Sequence, residues 1–181
     1  TETNTTILTI DRHNIQLIIN KYPTVRYSMV RLHRQRLLMS LLTISPIFET
    51  LGTKERRDVM AMFQSHNYSK GVRIVQQNST DKSLYLIVNG QVNVTIDNSK
   101  EIRDLATLQT GDVFGEISLL HNKPATATVT ATTDTTVLRL PEKSFFKITE
   151  RHTSIRTKLL NLSNKREKQL KNSLLFRLLN I

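Results

Sequence analysis

A short run of small and polar residues in the second half of the chain has the composition of an anion-binding turn. Gly115 precedes Glu116, Ile117 and Ser118, which form one short helical turn between two candidate strands. A glycine lets the backbone approach a ligand closely, and the first amides of a helix favour a phosphate. Glu116 could accept hydrogen bonds from sugar hydroxyls. The alternative is a plain strand–helix–strand connection in which Glu116 is a solvated charge.

Other reactive chemistry finds little support in the residue types. The chain has no cysteine, which excludes a disulfide framework, a thiolate metal site and a cysteine nucleophile. Ser118 has no candidate base nearby in the chain, and the glycines of a dinucleotide fingerprint or P-loop are absent. We therefore expect no enzyme, no metal and no cofactor. The histidines lack the spacing of metal ligands, and His121 is interpreted as a solvated loop residue; they are His13, His33, His66, His121 and His152.

Length and composition indicate one domain with an added helical layer. The chain has 181 residues, of which 38% are hydrophobic and 23% are charged, enough apolar residues for a core. No apolar run approaches the ~18 residues that a membrane-spanning helix needs. The first residues, Thr1 to Thr6, do not have the pattern of a signal peptide. We interpret the sequence as a fragment of a longer protein and expect the cytoplasm as its compartment.

The formal charge of +11 is concentrated at the two ends of the chain. Residues 1–57 hold 9 Lys/Arg against 4 Asp/Glu, residues 58–140 hold 7 against 8, and residues 141–181 hold 10 against 3. Such an asymmetry could indicate an acidic partner, a nucleic acid or an anionic membrane. Solvated helix faces are the favoured interpretation, because aromatic residues do not alternate with the basic ones as on a base-stacking surface.

The N-terminal quarter has the spacing of helices. Apolar residues over 7–44 follow a helical period that Pro23 interrupts. Pro46 should end the second helix, because the residue before a proline avoids the helical region. Thr53 is predicted to cap a third helix that continues towards Phe63.

The period changes to two between residues 70 and 140. Short apolar clusters alternate with polar residues and are separated by turn residues, which predicts seven or eight strands in an antiparallel barrel or jelly roll. The alternating residues are Val72 and Ile74; Leu84, Leu86 and Val88; Val92, Val94 and Ile96; and Ala127, Val129 and Ala131, and a further apolar cluster of Val137, Leu138 and Leu140 follows Asp134.

After Pro141 the period returns to about 3.6, which predicts one or two further helices. The fold class is therefore α+β: an antiparallel β-roll flanked by N-terminal and C-terminal helices. We place the boundaries at 1–46 for the helical segment, 47–150 for the roll and 151–181 for the C-terminal helix. Its apolar stripe consists of Ile155, Leu159, Leu162, Leu170, Leu174, Leu178 and Ile181.

Residues 47–150 resemble the cyclic nucleotide-binding domain family of kinase regulatory subunits, gated channels and bacterial catabolite activator proteins. The stretches that carry the resemblance are Lys70-Gly71-Val72-Arg73-Ile74, a hairpin over residues 83–94 that turns at Gly90, Gly111-Asp112-Val113-Phe114-Gly115-Glu116-Ile117-Ser118-Leu119-Leu120, and Ala127-Thr128-Val129. The last two stretches look like the start and end of the family's phosphate-binding cassette, here residues 111–129.

The resemblance implies a site for cAMP or cGMP. In the family the glutamate matching Glu116 contacts the ribose 2′-hydroxyl, and amides around Ile117 and Ser118 reach the cyclic phosphate. A C-terminal helix closes over the base, for which Leu170 or Leu174 are the candidates here, with helix packing as the alternative role. The predicted ligand-binding residues are Phe114, Gly115, Glu116, Ile117, Ser118, Ala125, Thr126 and Ala127.

One position departs from the family's pattern. The residue after Pro124 is normally an arginine that pairs with the phosphate, and here it is Ala125. Losing a buried charge-assisted bond of this kind should weaken binding by roughly tenfold to a thousandfold or more. Ala125 could be an engineered replacement, a natural feature of a weak binder, or a sign that the ligand has been lost. The hydroxyl of Thr126 is compatible with either nucleotide.

Two functions follow from these features. The first is a cyclic nucleotide-binding regulatory domain of a larger protein, acting on a fused or partner output domain. The alternative is a domain that no longer binds nucleotide and serves as an interaction or dimerisation module through its basic, leucine-rich helices, which could support a homo-oligomer. DNA binding is not expected, because only 26 residues follow Ile155 and cannot supply both a lid and a DNA-reading domain.

Overall fold

The computed structural model describes residues 9–98 and 101–178. The predicted order of helices, a β-roll and further helices is confirmed over these residues. The helices are α1 (Arg12–Lys21), α2 (Pro23–Ile44), α3 (Thr53–Met60), α4 (Glu116–Leu120), α5 (Glu142–Arg151) and α6 (Thr153–Leu178). The strands are β1 (Gln64–Tyr68), β2 (Arg73–Val75), β3 (Ser83–Asn89), β4 (Gln91–Asp97), β5 (Ile102–Gln109), β6 (Val113–Phe114), β7 (Thr128–Ala131) and β8 (Thr135–Pro141).

The N-terminal helices begin where capping chemistry allows. Asp11 caps α1 by accepting a hydrogen bond from the amide of Asn14 at 2.7 Å. Pro23 is the first residue of α2, a position where its missing N–H costs nothing. The break at Pro23 and an end before Pro46 are therefore confirmed. The chain divides into two units, residues 1–38 and 39–181.

The predicted start of α3 is wrong by one residue. Gly52 occupies the cap position, and Thr53 is the first helical residue. The backbone N–H of Gly52 donates to Oε2 of Glu55 at 2.7 Å, which is the contact that the glutamate of a capping box makes. The helix ends at Met60, earlier than the sequence pattern predicts.

The strands form two antiparallel sheets of four, in the orders β1-β8-β3-β6 and β2-β7-β4-β5. The predicted antiparallel roll is thus confirmed as two open sheets, with no closed barrel over the described residues. Their facing sides share an apolar core, where aromatic and branched side chains exclude water. This core consists of Tyr85, Ile87, Val92, Leu108, Phe114, Val129 and Val137.

Strand β3 does not alternate as its sequence pattern predicts. Residues 83–87 are all buried, because the sheet core covers one face of the strand while α4 and α5 pack near it. Both faces of an interior strand are then apolar. β3 pairs antiparallel with β6. Along the chain, β6 is followed by α4, the cassette helix.

Helix α6 packs with its apolar stripe inward. Ile155 and Leu159 are buried, as predicted, but the next inward position is the fully buried Ser163. Lys158 fixes the first part of the helix by donating to the carbonyl of Pro46 at 2.7 Å and pairing with Glu49 at 2.6 Å. The side chains of Leu174, Leu178 and Ile181 lie outside the described residues. Nowhere in the described chain is a helix both long and apolar enough to span a membrane.

Candidate functional site

The turn into α4 requires a glycine. Gly115 has a φ of +88°, and a Cβ atom there would lie 2.1 Å from the carbonyl oxygen of Ser83. Just before it, the ring of Phe114 stacks on that of Tyr85, with centroids 4.8 Å apart. Burial raises the pKa of the Tyr85 hydroxyl above its usual 10.0, so the phenol stays neutral. The cassette helix therefore starts from a tightly packed, apolar support.

Replacing Gly115 with alanine should lower the free energy of unfolding by more than the ~1–3 kcal/mol of backbone strain at a positive φ. The added methyl group also meets the Ser83 carbonyl, which belongs to a buried strand and cannot move aside cheaply. Gly111→Ala is the matched control, because its φ is +95° and its Cβ meets nothing within 4 Å. Urea unfolding measures both variants, and equal losses would contradict the steric argument.

The predicted site residues surround one cavity of about 400 Å³. All eight predicted ligand-binding positions, Phe114 to Ser118 and Ala125 to Ala127, line it, together with Leu170 from α6. The side chain of Leu174, the other candidate for the lid, lies outside the described residues. A cavity of this volume is in the range that holds a small organic ligand.

Glu116 is buried, so its interpretation as a solvated charge is wrong. It is 1% exposed, and its Oε1 accepts a hydrogen bond from Nη1 of Arg166 at 2.8 Å. The same Nη1 donates to the carbonyl of Val113 at 2.8 Å. The guanidinium from α6 thereby compensates the buried carboxylate, which would otherwise be costly in this low-dielectric position.

Two further polar contacts hold α6 against the cassette loop. His121 is exposed in the loop after α4, as expected, and its Nε2 also lies 2.9 Å from Oγ of Ser163. Lys123 pairs with Glu167 and, through its hydrogen bond and its charge, holds the pKa of that carboxyl below the usual 4.5. The helix that lines the cavity is thus fastened by side chains from both ends of the loop between α4 and Pro124.

Ala125 presents a methyl group where the resemblance predicts an arginine. It is 5% exposed and lines the cavity. Its amide donates to the carbonyl of Ser79 at 2.9 Å, and its carbonyl accepts from the amide of Asn78 at 2.8 Å. These two hydrogen bonds fix the backbone of Ala125 at the cavity wall.

The rest of the wall is mainly apolar. Among its described residues the ionisable ones are Glu116, Arg166 and Asp104, and Asp104 accepts from the side-chain amide of Asn93 at 2.6 Å. In the described part of the chain, no cluster of three His, Asp or Glu could hold a metal ion. The apolar surface, suited to the faces of a base or sugar, comes from Val75, Val94, Leu105, Ala106, Leu108, Ile117, Val129 and Leu170.

Sequence reasoning missed Arg166, the cavity's cation. A signal was present, because Arg166 follows Leu162 by four residues and precedes Leu170 by four, which places all three on one helix face. A charged residue within an apolar stripe points to a buried partner. The identity of that partner, Glu116, depends on the tertiary fold.

Comparison with known proteins places this site in a family. The family model described as "Cyclic nucleotide-binding domain" matches residues 65–152. The cAMP-dependent protein kinase regulatory subunit of Colletotrichum orbiculare is 29% identical over 64% of this chain. The cGMP-dependent protein kinase egl-4 of Caenorhabditis elegans is 30% identical over 81% of it. The chain spans 29% of the first relative and 18% of the second.

A solved structure agrees with these matches. The catabolite activator protein of Thermus thermophilus is 29% identical, with a TM-score of 0.65, over 75% of this chain and 63% of its own. The antiparallel sheets, the flanking helices and the glycine-led cassette helix occur here in the order that the resemblance implies. Residues 65–152, which include all eight candidate ligand-binding positions, therefore belong to the cyclic nucleotide-binding domain family.

Proposed function

We propose that the cavity binds a cyclic nucleotide, cAMP or cGMP, and that the chain is a non-catalytic regulatory part of a longer signalling protein. The observation that carries the proposal is the meeting of both ends of the cassette with α6 around one cavity. Glu116 lies on the wall as an acceptor for ribose hydroxyls. The names of the relatives, regulatory subunits and a cyclic-nucleotide-dependent kinase, support the same function.

We propose further that the affinity is low. The methyl group of Ala125 offers no charge to a cyclic phosphate, and Glu116 engages the cavity's cation, Arg166. A charge-assisted hydrogen bond is worth roughly 1.5–3 kcal/mol, and ~1.4 kcal/mol corresponds to tenfold in affinity. Binding should therefore be at least about tenfold weaker than in a cassette that has the arginine.

The regulatory output would pass through α6. This helix contributes Arg166, Gln169 and Leu170 to the cavity, so a ligand that contacts them favours one position of the helix over another. A ligand shifts such an equilibrium only by its differential affinity for the two positions. A fused output domain or a partner kinase would respond to that shift.

Calorimetric titration with cAMP and with cGMP tests the proposal. The chain should show weak, saturable binding of at least one nucleotide. An Ala127→Phe variant adds a ring at the cavity wall that should obstruct the ligand and abolish that binding, whereas Thr110→Phe adds the same ring on an exposed turn outside the cavity and should leave binding intact. Binding that survives Ala127→Phe, or no binding at millimolar nucleotide, would contradict the proposal.

One observation favours the alternative of an interaction module. Arg166 already satisfies Glu116 from within the chain, so the cassette does not require a ligand to compensate its buried carboxylate. In that case the basic, leucine-rich α6 would serve self-association or an acidic partner. Molecular mass measured against concentration distinguishes the two, because an association seam needs its partner at every nucleotide concentration.

A further inference from the structure

We propose that the cavity prefers an uncharged nucleoside to the cyclic nucleotide of the same base. This inference rests on the proposed function, because it concerns the same cavity and the same contacts to sugar and base. The observation behind it is the charge balance of the cavity wall, where a carboxylate engages the cation and the expected phosphate partner is a methyl group.

The ionisable side chains of the wall do not favour an anion. Arg166 and Glu116 form a neutral pair at 2.8 Å. The remaining charged residue of the described wall is Asp104, which is negative and exposed. The lysine of the cassette loop, Lys123, pairs with Glu167 and does not line the cavity. A phosphate entering the cavity would lose hydration without gaining a cation in return.

The backbone compensates little for the missing side chain. The amide of Ala125 donates to Ser79, so it is not available to a ligand. Helix α4 has five residues and begins with the carboxylate of Glu116, which already lies in its first turn, where negative charge is favoured. A ligand's negative charge would compete with that carboxylate for the positive end of the α4 helix dipole.

An uncharged nucleoside keeps the contacts that the cavity does offer. Its ribose hydroxyls can donate to the carboxylate of Glu116, and its base can lie on the apolar wall that includes Val75, Val129 and Leu170. It brings no charge to desolvate. We therefore expect the nucleoside to bind at least about tenfold more tightly than the matching cyclic nucleotide.

The experiment is a calorimetric titration of the whole chain with four ligands: adenosine, cAMP, guanosine and cGMP. It is repeated with Ala125→Arg, which adds a cation on the cavity wall, and with Thr110→Arg, which adds the same charge on an exposed turn away from the cavity. Urea unfolding verifies that each variant is folded. Ala125→Arg should tighten the cyclic nucleotides alone and so reverse the preference, and Thr110→Arg should change neither ligand class.

The results separate this inference from the proposed function. A nucleoside that binds at least tenfold more tightly than its cyclic nucleotide, with the preference reversed by Ala125→Arg, supports the inference. A cyclic nucleotide that binds the unchanged chain as tightly as its nucleoside overturns the inference and leaves the proposed function standing. Cyclic nucleotide binding to both the unchanged chain and Ala125→Arg, with no nucleoside binding to any chain, also overturns the inference alone. No binding of any of the four ligands to any chain overturns both.

Discussion

An Ala125→Arg variant is expected to bind cAMP or cGMP at least tenfold, and up to about a thousandfold, more tightly than the unchanged chain. The lower bound corresponds to one charge-assisted hydrogen bond. The upper bound corresponds to the ~3–5 kcal/mol that is lost when one partner of a buried charge pair is removed. Calorimetric titration of both chains with each nucleotide measures the difference directly.

The structure has a suitable place for that side chain. The backbone of Ala125 is held by two hydrogen bonds to residues 78 and 79, neither of which involves its Cβ. Ala125 lines a cavity of about 400 Å³, which offers room for a longer side chain. The substitution should therefore change the electrostatics of the cavity without changing the path of the cassette.

Two control variants separate charge from size. Ala125→Gln adds a polar side chain without the charge and should recover at most a small part of the gain. Thr110→Arg adds the charge on an exposed turn and should leave the affinity unchanged apart from a weak, salt-screened effect. A folded Ala125→Arg variant with unaltered affinity for both nucleotides would show that the cavity does not bind the phosphate beside residue 125.

The cassette could be predicted from the sequence because its information is local. Gly115, Glu116 and Ser118 occupy consecutive or near-consecutive positions, and a glycine before a short helical turn predicts the same geometry in many folds. The central strands were predictable for a similar reason, since strands flanked on both sides bury many apolar side chains and so stand out as apolar clusters in the sequence. β3, β4 and β8 are of this kind.

The edge strands β1 and β5 were not predicted individually, and their positions in the sheets explain why. β1 (Gln64–Tyr68) and β5 (Ile102–Gln109) lie at opposite edges of their sheets and are partly exposed or exposed over most of their length. A strand that buries little carries little apolar periodicity. Polar edge strands also resist pairing with other chains. The same polarity that makes these strands hard to predict from the sequence therefore protects the fold from aggregation.

The contacts that fasten α6 to the cassette were also beyond the sequence. Glu116 and Arg166 are 50 positions apart, and His121 and Ser163 are 42 apart. The sequence alone does not identify the partner of any of these polar residues, because the pairs form only when the fold brings the two side chains within 3 Å. Ser163 illustrates this, because a serine at an inward helix position breaks the apolar stripe and is explained by the histidine that it meets.

Replacing Arg166 with alanine is expected to lower the free energy of unfolding by about 3–5 kcal/mol at neutral pH. The variant leaves the carboxylate of Glu116, 1% exposed, without its cation and removes the donor to the Val113 carbonyl. The position of Glu116 in the first turn of α4 compensates part of the lost charge interaction, which favours the lower end of that range. Urea unfolding of the unchanged chain and the variant provides the measurement.

The matched background for this test is Glu116→Gln, which keeps the shape of the side chain and removes its charge. In that background Arg166→Ala leaves no buried carboxylate without a cation. The further decrease in the free energy of unfolding should therefore be only ~1 kcal/mol, the usual contribution of a hydrogen bond. The difference between the two backgrounds is the coupling energy of the pair. If Arg166→Ala lowers the free energy of unfolding equally in both backgrounds, Arg166 stabilises α6 by packing alone. The buried carboxylate is then stabilised by the amides of α4.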